Sequence, residues 1–285
     1  MPELPEVETV VRGLRAAGIE GARIAKVLVR RSATVLGMSV PAFARALRGR
    51  TVVRLHRRAK YIVADLDDGG RLLIHLRMTG QLRFEPAGAA PDPHDRVILR
   101  FADGRGLHFH DTRAFGRVRL ADGAADLLPD LGPEPLDPSF TAARLAGRLR
   151  PHRRRIKPLL LDQRCLAGLG NIYVDESLWA ARIHPERRAD TLHPAEIRRL
   201  HAAIRDVLRR AVRARGTSLG RGATNFRGVA GKAGGHAEAL RVFRRAGQPC
   251  PRCGCPIERL RVAQRGTHVC PRCQARASAT LILAG

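Results

Sequence analysis

No apolar run in this 285-residue chain approaches the ~20 residues that a bilayer-spanning helix needs, so no membrane span is expected. The amino terminus lacks the basic and apolar regions of a secretory signal, which predicts a cytosolic, reducing setting. Acidic residues are scarce: 26 Asp and Glu against 52 Lys and Arg leave a formal charge of +26, with basic residues recurring in every segment. On a folded chain that balance points first to a polyanion such as nucleic acid. An anionic membrane surface and an arginine-rich background are the other readings. Disorder is excluded, because 44% of the residues are apolar, and the length favours two domains with a sizeable core.

The chain opens Met1-Pro2-Glu3-Leu4-Pro5-Glu6-Val7-Glu8. A small residue after the initiator methionine favours its removal, which would leave Pro2 with a free secondary amine. With an α-amino pKa of roughly 8, a usable fraction is neutral near pH 7. Such an amine attacks an aldehyde carbon to give an iminium, an electron sink for elimination otherwise supplied by lysine Schiff bases. Glu3 stands next to it as a proton carrier. Val7, Val10, Val11 and Leu14 recur at helical spacing, so a helix starts near Pro5 and holds the terminus against a domain. The alternative is a proline-capped helix start with solvated glutamates.

Strand-like segments follow at 23–31, 51–58, 61–66, 71–76, 81–84, 97–101, 107–110 and 117–120, with turn signals at Asp67-Asp68-Gly69-Gly70 and Ala102-Asp103-Gly104-Arg105. Short strands at this spacing predict an antiparallel sandwich or barrel. Residues 121–138 read as a linker. Helices are expected at 141–149, 156–161, 171–182 and 194–214, and the glycine-rich stretch 216–235 reads as a long loop.

In a reducing setting the six cysteines read as metal ligands before disulfides. Cys250-Pro-Arg-Cys253 and Cys270-Pro-Arg-Cys273, separated by 16 residues, have the two-knuckle spacing of a tetrahedral zinc site. Four thiolates leave no open position, so this zinc folds a β-hairpin and performs no chemistry. Cys255 adjoins the first knuckle and competes for the ligand set. Cys165 reads as a small buried hydrophobe.

With these residues placed, a resemblance emerges. PELPEVETVVRGL at the start, RRAKYIV at 57–63, IHLRMTGQL at 74–82, HDTRAFGRV at 110–118, GLGNIYVDESLWAARIHP at 168–185, GTSL at 216–219 and QRGTHVCPRC in the terminal hairpin occur in order. Together they resemble the bacterial formamidopyrimidine-DNA glycosylase family over nearly the whole length. The resemblance implies a multi-domain α+β fold: an N-terminal antiparallel β-sandwich at 1–124, a linker at 125–138, a helix–two-turn–helix domain at 139–246 with a lesion-sensing loop at 216–236, and a zinc-finger hairpin at 247–285. It implies DNA in a cleft between the halves, one structural zinc, and a cytoplasmic, nucleoid-associated monomer acting on damaged double-stranded DNA.

The implied activity is excision of oxidised purines (8-oxoguanine and formamidopyrimidines) followed by strand cleavage through β,δ-elimination. Pro2 would attack the deoxyribose C1′, with Glu3 as general acid at the ring oxygen. Lys60 would bind the backbone at the lesion and assist β-elimination, and Arg265 would clamp phosphates and assist δ-elimination. Asn171, opening a helix after a glycine turn, suits phosphate binding. Met78, Arg113 and Phe115 match the trio that fills the void left by a flipped base, although residue type alone favours core packing for Met78 and Phe115. His94 matches a DNA-contacting loop histidine, Arg153 lies in a basic run at 152–155, and Glu176 either reaches the cleft or is structural. Metal ligands are Cys250, Cys253, Cys270 and Cys273.

Two stretches depart from the family pattern: Ser218-Leu219-Gly220-Arg221-Gly222 after Gly-Thr, and Leu240-Arg241-Val242-Phe243-Arg244-Arg245 where a Tyr-Gly-Arg sequence is usual. They bear on lesion preference. The competing readings are an endonuclease VIII-like enzyme for oxidised pyrimidines, against which Leu4-Pro5 and the Arg113/Phe115 context count, and a non-catalytic binder of damaged DNA.

Overall fold

The computed structural model describes residues 1–121, 130–220 and 226–276. Part of the expected linker, positions 221–225 of the loop, and 277–285 lie outside the described residues.

Helix α1 (Leu4–Ala16) starts where expected, with Pro5 in its first turn, and buries Leu4, Val7, Val10, Val11 and Leu14 along one face. Each such side chain contributes roughly 1.5–3 kcal/mol of burial energy. The helix ends before Gly18, whose φ of +72° a side chain would resist. Nine strands follow: β1 (Ile24–Val29), β2 (Val35–Leu36), β3 (Val52–Arg58), β4 (Tyr61–Leu66), β5 (Arg71–His75), β6 (Gln81–Glu85), β7 (Asp95–Phe101), β8 (Gly106–His110) and β9 (Arg117–Ala121). They form a four-stranded sheet, β1-β7-β8-β6, and a five-stranded sheet, β2-β9-β5-β4-β3. All pairings are antiparallel except β2 with β9. One hydrophobic core draws on both sheets, on α1, and on Phe43 and Leu47 of helix α2 (Val40–Leu47). Sequence periodicity missed α2; its eight residues bury only those two, and its start is marked by the Ser39 cap, which accepts from Ala42 N–H.

Among the described residues the rest is helical, with α3 (Ala142–Leu149), α4 (Ile156–Leu161), α5 (Asn171–Ala181) and α6 (Pro194–Arg213), followed by the hairpin β10 (Glu258–Val262) and β11 (Arg265–Val269). Ile197, Leu200, Ile204, Val207, Leu208 and Ala211 of α6 are buried, the stripe expected of its sequence. The chain divides into two compact units, 1–129 with 211–237, and 130–210 with 238–285. Residues 211–237 therefore belong with the sandwich, a return that a division into consecutive segments does not anticipate.

Candidate active site

In the first unit, Pro2 and Glu3 precede α1, and both are buried. The Glu6 carboxylate, 1% exposed, organises this corner. Its Oε2 accepts from Glu3 N–H at 2.8 Å and its Oε1 from Thr217 N–H at 2.7 Å. Gly216 makes that approach possible, since a Cβ there would stand 2.9 Å from Glu6 Oε1. One buried carboxylate thus ties the residue beside Pro2 to the start of the loop at 216–236.

Lys60 lies in the β3–β4 turn after Ala59, which has φ +53°, and is 6% exposed. Its charge reaches His75, the last residue of β5. The His75 ring packs edge-on to Tyr61 at 4.7 Å, and its Nδ1 accepts from Arg77 N–H at 3.0 Å. Burial, reinforced by the positive charges of Arg77 and Lys60, lowers the His75 pKa to about 3. The ring is therefore neutral at ordinary pH, with its proton on Nε2.

Met78 and Phe115 are 40% and 47% exposed, so core packing is wrong for both. Each sits on a short loop beside a left-handed residue, Arg77 (φ +54°) and Ala114 (φ +55°). Asp111, fully buried, holds the two loops together. It accepts from the Thr79 hydroxyl, from Gly116 N–H at 2.7 Å and from Arg113 N–H at 3.3 Å. Gly80 and Gly116 both abut the Phe109 ring, where added Cβ atoms would collide at 2.8 and 2.3 Å. The Arg113 guanidinium lies 4.8 Å from the Phe115 ring centroid. These loops hold an aromatic, a thioether and a cation in fixed positions at the surface.

His94 is exposed, in the turn Asp92–Asp95. Buried Asp95 shapes that turn by accepting from Asp92 N–H at 2.9 Å, from His108 at 2.8 Å and from Arg83 at 2.6 Å. Burial alone would raise the Asp95 carboxyl; these bonds outweigh it and hold the pKa below the ordinary range. Ligand atoms of Asp92, Asp95 and His110 lie within 4.8 Å of one another. The Arg83 guanidinium already supplies the positive charge there.

In the second unit, Asn171 opens α5 and donates through Nδ2 to the Gly266 carbonyl at 2.9 Å. Arg265 is exposed at the tip of the β10–β11 hairpin, after a two-residue turn in which Ala263 and Gln264 have φ +46° and +64°. Behind the hairpin lies fully buried Lys157, donating to Asp175 (2.6 Å), the Thr267 hydroxyl (2.8 Å) and the Gly266 carbonyl (3.1 Å). Asp175 also accepts from His268 N–H at 2.9 Å, so α4 and α5 set the height of the arginine tip. The whole basic run 152–155 is exposed, with Arg154 and Arg155 paired to Asp162 and Glu186.

The four sulfurs of Cys250, Cys253, Cys270 and Cys273 lie within 4.8 Å of one another, with 3.9 Å between Cys250 and Cys273 and 3.4 Å between Cys253 and Cys270. A tetrahedral ion with bonds of about 2.3 Å sets its ligands about 3.8 Å apart, so the cluster has the right size for zinc. Trp179 Nε1–H and Cys273 N–H point at the Cys250 and Cys270 sulfurs at 3.4 Å, as thiolates require. Cys255 contributes its carbonyl to Cys250 N–H at 2.9 Å and keeps its thiol outside the cluster. Cys165 is buried, and burial pushes its pKa up to about 11.

Three family profiles match in order: the formamidopyrimidine-DNA glycosylase N-terminal domain at 1–118, its H2TH domain at 131–221, and the zinc finger found in FPG and IleRS at 247–276. The formamidopyrimidine-DNA glycosylase of Roseiflexus sp. is 48% identical over 90% of this chain and 93% of its own length. That of Moorella thermoacetica is 46% identical over the same shares. Among solved structures, MutM (FPG) from Thermus thermophilus superposes with a TM-score of 0.86 at 41% identity, covering 97% of this chain and 100% of that one. A Lactococcus lactis FPG mutant bound to Fapy-dG DNA gives 0.89 at 38% identity, covering 96% and 100%. The chain belongs to the formamidopyrimidine-DNA glycosylase family.

As a family member it carries one structural zinc on its cysteine quartet. The first unit gathers Pro2, Glu3, Lys60, Met78, His94, Arg113 and Phe115; the second carries Arg153, Asn171, Arg265 and the cysteines. Glu176 is structural. It is 3% exposed and accepts N–H bonds from Arg241, Val242 and Phe243. Sequence reasoning missed Glu6, His75, Asp111 and Lys157. The first three lie inside motifs already singled out, but residue type alone does not separate a buried organiser from a solvated charge.

Proposed function

We propose that this protein excises oxidised purines from duplex DNA and cleaves the strand at the resulting abasic site, with the amine of Pro2 as nucleophile. The observation that carries the reading is the burial of Pro2 and Glu3 against α1, with Glu6 holding the Glu3 backbone, where a chain terminus ordinarily frays. After Met1 is removed, the neutral Pro2 nitrogen attacks C1′ of the damaged nucleotide. The C1′–base bond breaks, the base departs with its electron pair and takes up the proton that the Pro2 nitrogen loses, and a cationic iminium forms once the ring oxygen leaves C1′. Glu3 donates the proton that the ring oxygen takes up. Loss of a C2′ proton then expels the 3′ phosphate, and a second elimination expels the 5′ phosphate; Lys60 assists the first and Arg265 the second. Hydrolysis of the conjugated iminium returns the free amine.

Met78, Arg113 and Phe115 fill the space vacated by the flipped nucleotide, with Arg113 hydrogen-bonding the orphaned base. Asn171, Arg153, His94 and Arg265 bind backbone phosphates. In a consecutive division into 1–124, 125–138, 139–246 and 247–285, Pro2, Glu3 and Lys60 fall in the first segment and Arg265 and the zinc in the last. The protein acts in the cytoplasm at the nucleoid; among the described residues no helix is long and apolar enough to cross a membrane.

The test is borohydride trapping on duplexes carrying 8-oxoguanine, a formamidopyrimidine or an oxidised pyrimidine. A reduced DNA adduct mapped to Pro2, formed fastest on the purine lesions, is expected. Blocking the amine with an uncleaved residue should abolish trapping and cleavage; persistence of both would move the nucleophile to Lys60. Preference for the pyrimidine lesion would instead select the endonuclease VIII-like activity.

A further inference from the structure

Arg96, half-buried near the start of β7, stands between the turn of His94 and the loop that carries Arg113 and Phe115. Its guanidinium bonds to both. Towards the loop, Nε donates to the Asp111 carbonyl at 2.7 Å and Nη2 to the Thr112 carbonyl at 3.4 Å. Towards the turn, Nη1 donates to the Pro93 carbonyl at 3.4 Å and Nη2 to His94 Nδ1 at 3.1 Å. The planar fork of a guanidinium reaches carbonyls and a ring nitrogen at once, which a compact ammonium does not.

The bond to His94 fixes where the imidazole carries its proton. A guanidinium has donors only, so the nitrogen facing it must offer a lone pair. The proton of a neutral His94 ring therefore sits on Nε2, because the other tautomer would set two donors against each other. Ring and backbone are both held. The ring stands edge-on to His110 with centroids 5.7 Å apart, and the His94 N–H donates to Asp92 Oδ1 at 2.8 Å. Asp111 N–H donates to the His94 carbonyl at 2.9 Å, a second tie between turn and loop. The ring is exposed, and among the described residues no protein atom accepts the Nε2 proton.

We propose that Arg96 is a positioning residue for DNA binding, which sets His94 as an Nε2–H donor to a backbone phosphate and locks that donor to the loop of Arg113 and Phe115. The inference rests on the proposed function, in which His94 binds phosphate and Arg113 and Phe115 fill the void. Phosphate grip and void filling then form one unit, because the guanidinium that orients the imidazole also holds the two carbonyls preceding Arg113.

Long-range proton–nitrogen spectra of the histidine rings in the DNA-free protein, at mildly alkaline pH, test the tautomer. His94→Gln identifies the signals by their loss. In the parent, Nδ1 of His94 should be pyridine-like and Nε2 pyrrole-like; in Arg96→Ala the two should move towards an average. Affinity for a duplex carrying an uncleavable abasic analogue, followed by fluorescence anisotropy, should fall roughly tenfold in Arg96→Ala and in His94→Ala. The double variant should lose much less than the product of the two. Arg96→Lys keeps the charge without the fork and should bind like Arg96→Ala. Excision of 8-oxoguanine should fall further than cleavage of a preformed abasic site in Arg96→Ala, and no such split should appear in His94→Ala. A parental His94 with its proton on Nδ1, losses that multiply in full, recovery by Arg96→Lys, or no split in Arg96→Ala each overturn the assignment. Any of these in a parent that binds and is trapped on damaged DNA leaves the proposed function standing; a parent that does neither overturns both.

Discussion

Asp111 offers the sharpest test of the proposed void-filling loops, because it is not one of the three residues proposed to fill the void yet bonds to both loops. Its fully buried carboxylate accepts three bonds, from the Thr79 hydroxyl, Arg113 N–H and Gly116 N–H. Asp111→Asn changes almost no volume. Its carbonyl oxygen can keep the Gly116 bond, and the new amide can donate to the Thr79 hydroxyl, which reverses its role. The Arg113 N–H then loses its carboxylate partner. One weakened, partly buried bond to a formerly charged acceptor costs roughly 1–2 kcal/mol, which lowers the thermal midpoint by roughly 2–8 °C. Asp111→Ala strands the Thr79 hydroxyl and Gly116 N–H, leaves Arg113 N–H only the Thr79 oxygen at 3.4 Å, and should cost more, at roughly 1–3 kcal/mol for each orphaned group. Single-turnover excision of 8-oxoguanine from duplex should fall several-fold in Asp111→Asn, while cleavage of a preformed abasic site changes little, since there is no base to extract. Phe115→Ala should show the same split without the loss of stability. Equal loss on both substrates would refute the reasoning, as would a destabilised Asp111→Asn enzyme with parental excision.

The remaining expectations concern other parts of the molecule. Cys273→Ser should lose zinc and DNA binding while leaving the sandwich folded, whereas Cys255→Ser should keep the metal, because its thiol lies outside the cluster; metal analysis and circular dichroism decide both. His75, with a folded pKa of about 3 against an ordinary 6.5, binds its proton more readily when unfolded. Its contribution is therefore fully present above about pH 6.5 and is lost as pH falls towards 3, at no more than about 1.4 kcal/mol per pH unit. Urea midpoints of parent and His75→Gln across that range should converge at low pH; parallel curves would exclude the effect. Arg265→Ala should remove about 0.9 from the salt slope and weaken binding to all sequences alike, as a phosphate contact must.

The proposed reaction centre was readable from sequence because its parts are local. A proline at position 2, a helix stripe starting three residues later, and paired Cys-Pro-Arg-Cys knuckles each state their chemistry within a few residues, and the family motifs arrive in order. Strand positions were readable for the same reason, since turn residues such as Gly69 and Gly104, with φ +81° and +86°, punctuate them. Tertiary structure alone decided how buried charges are used. Glu6, Asp111, Lys157 and Glu176 look in sequence like any solvated ionisable residue, yet each is nearly inaccessible and bonded to distant backbone or side chains. Thr217 lies 211 positions from Glu6, and Gly266 lies 109 from Lys157. No local pattern encodes such partners, because they are chosen by which strands and helices pack together. Exposure of Met78 and Phe115 was likewise hidden: apolar side chains favour burial wherever the backbone allows it, and only the two loops joined at Asp111 keep these two at the surface.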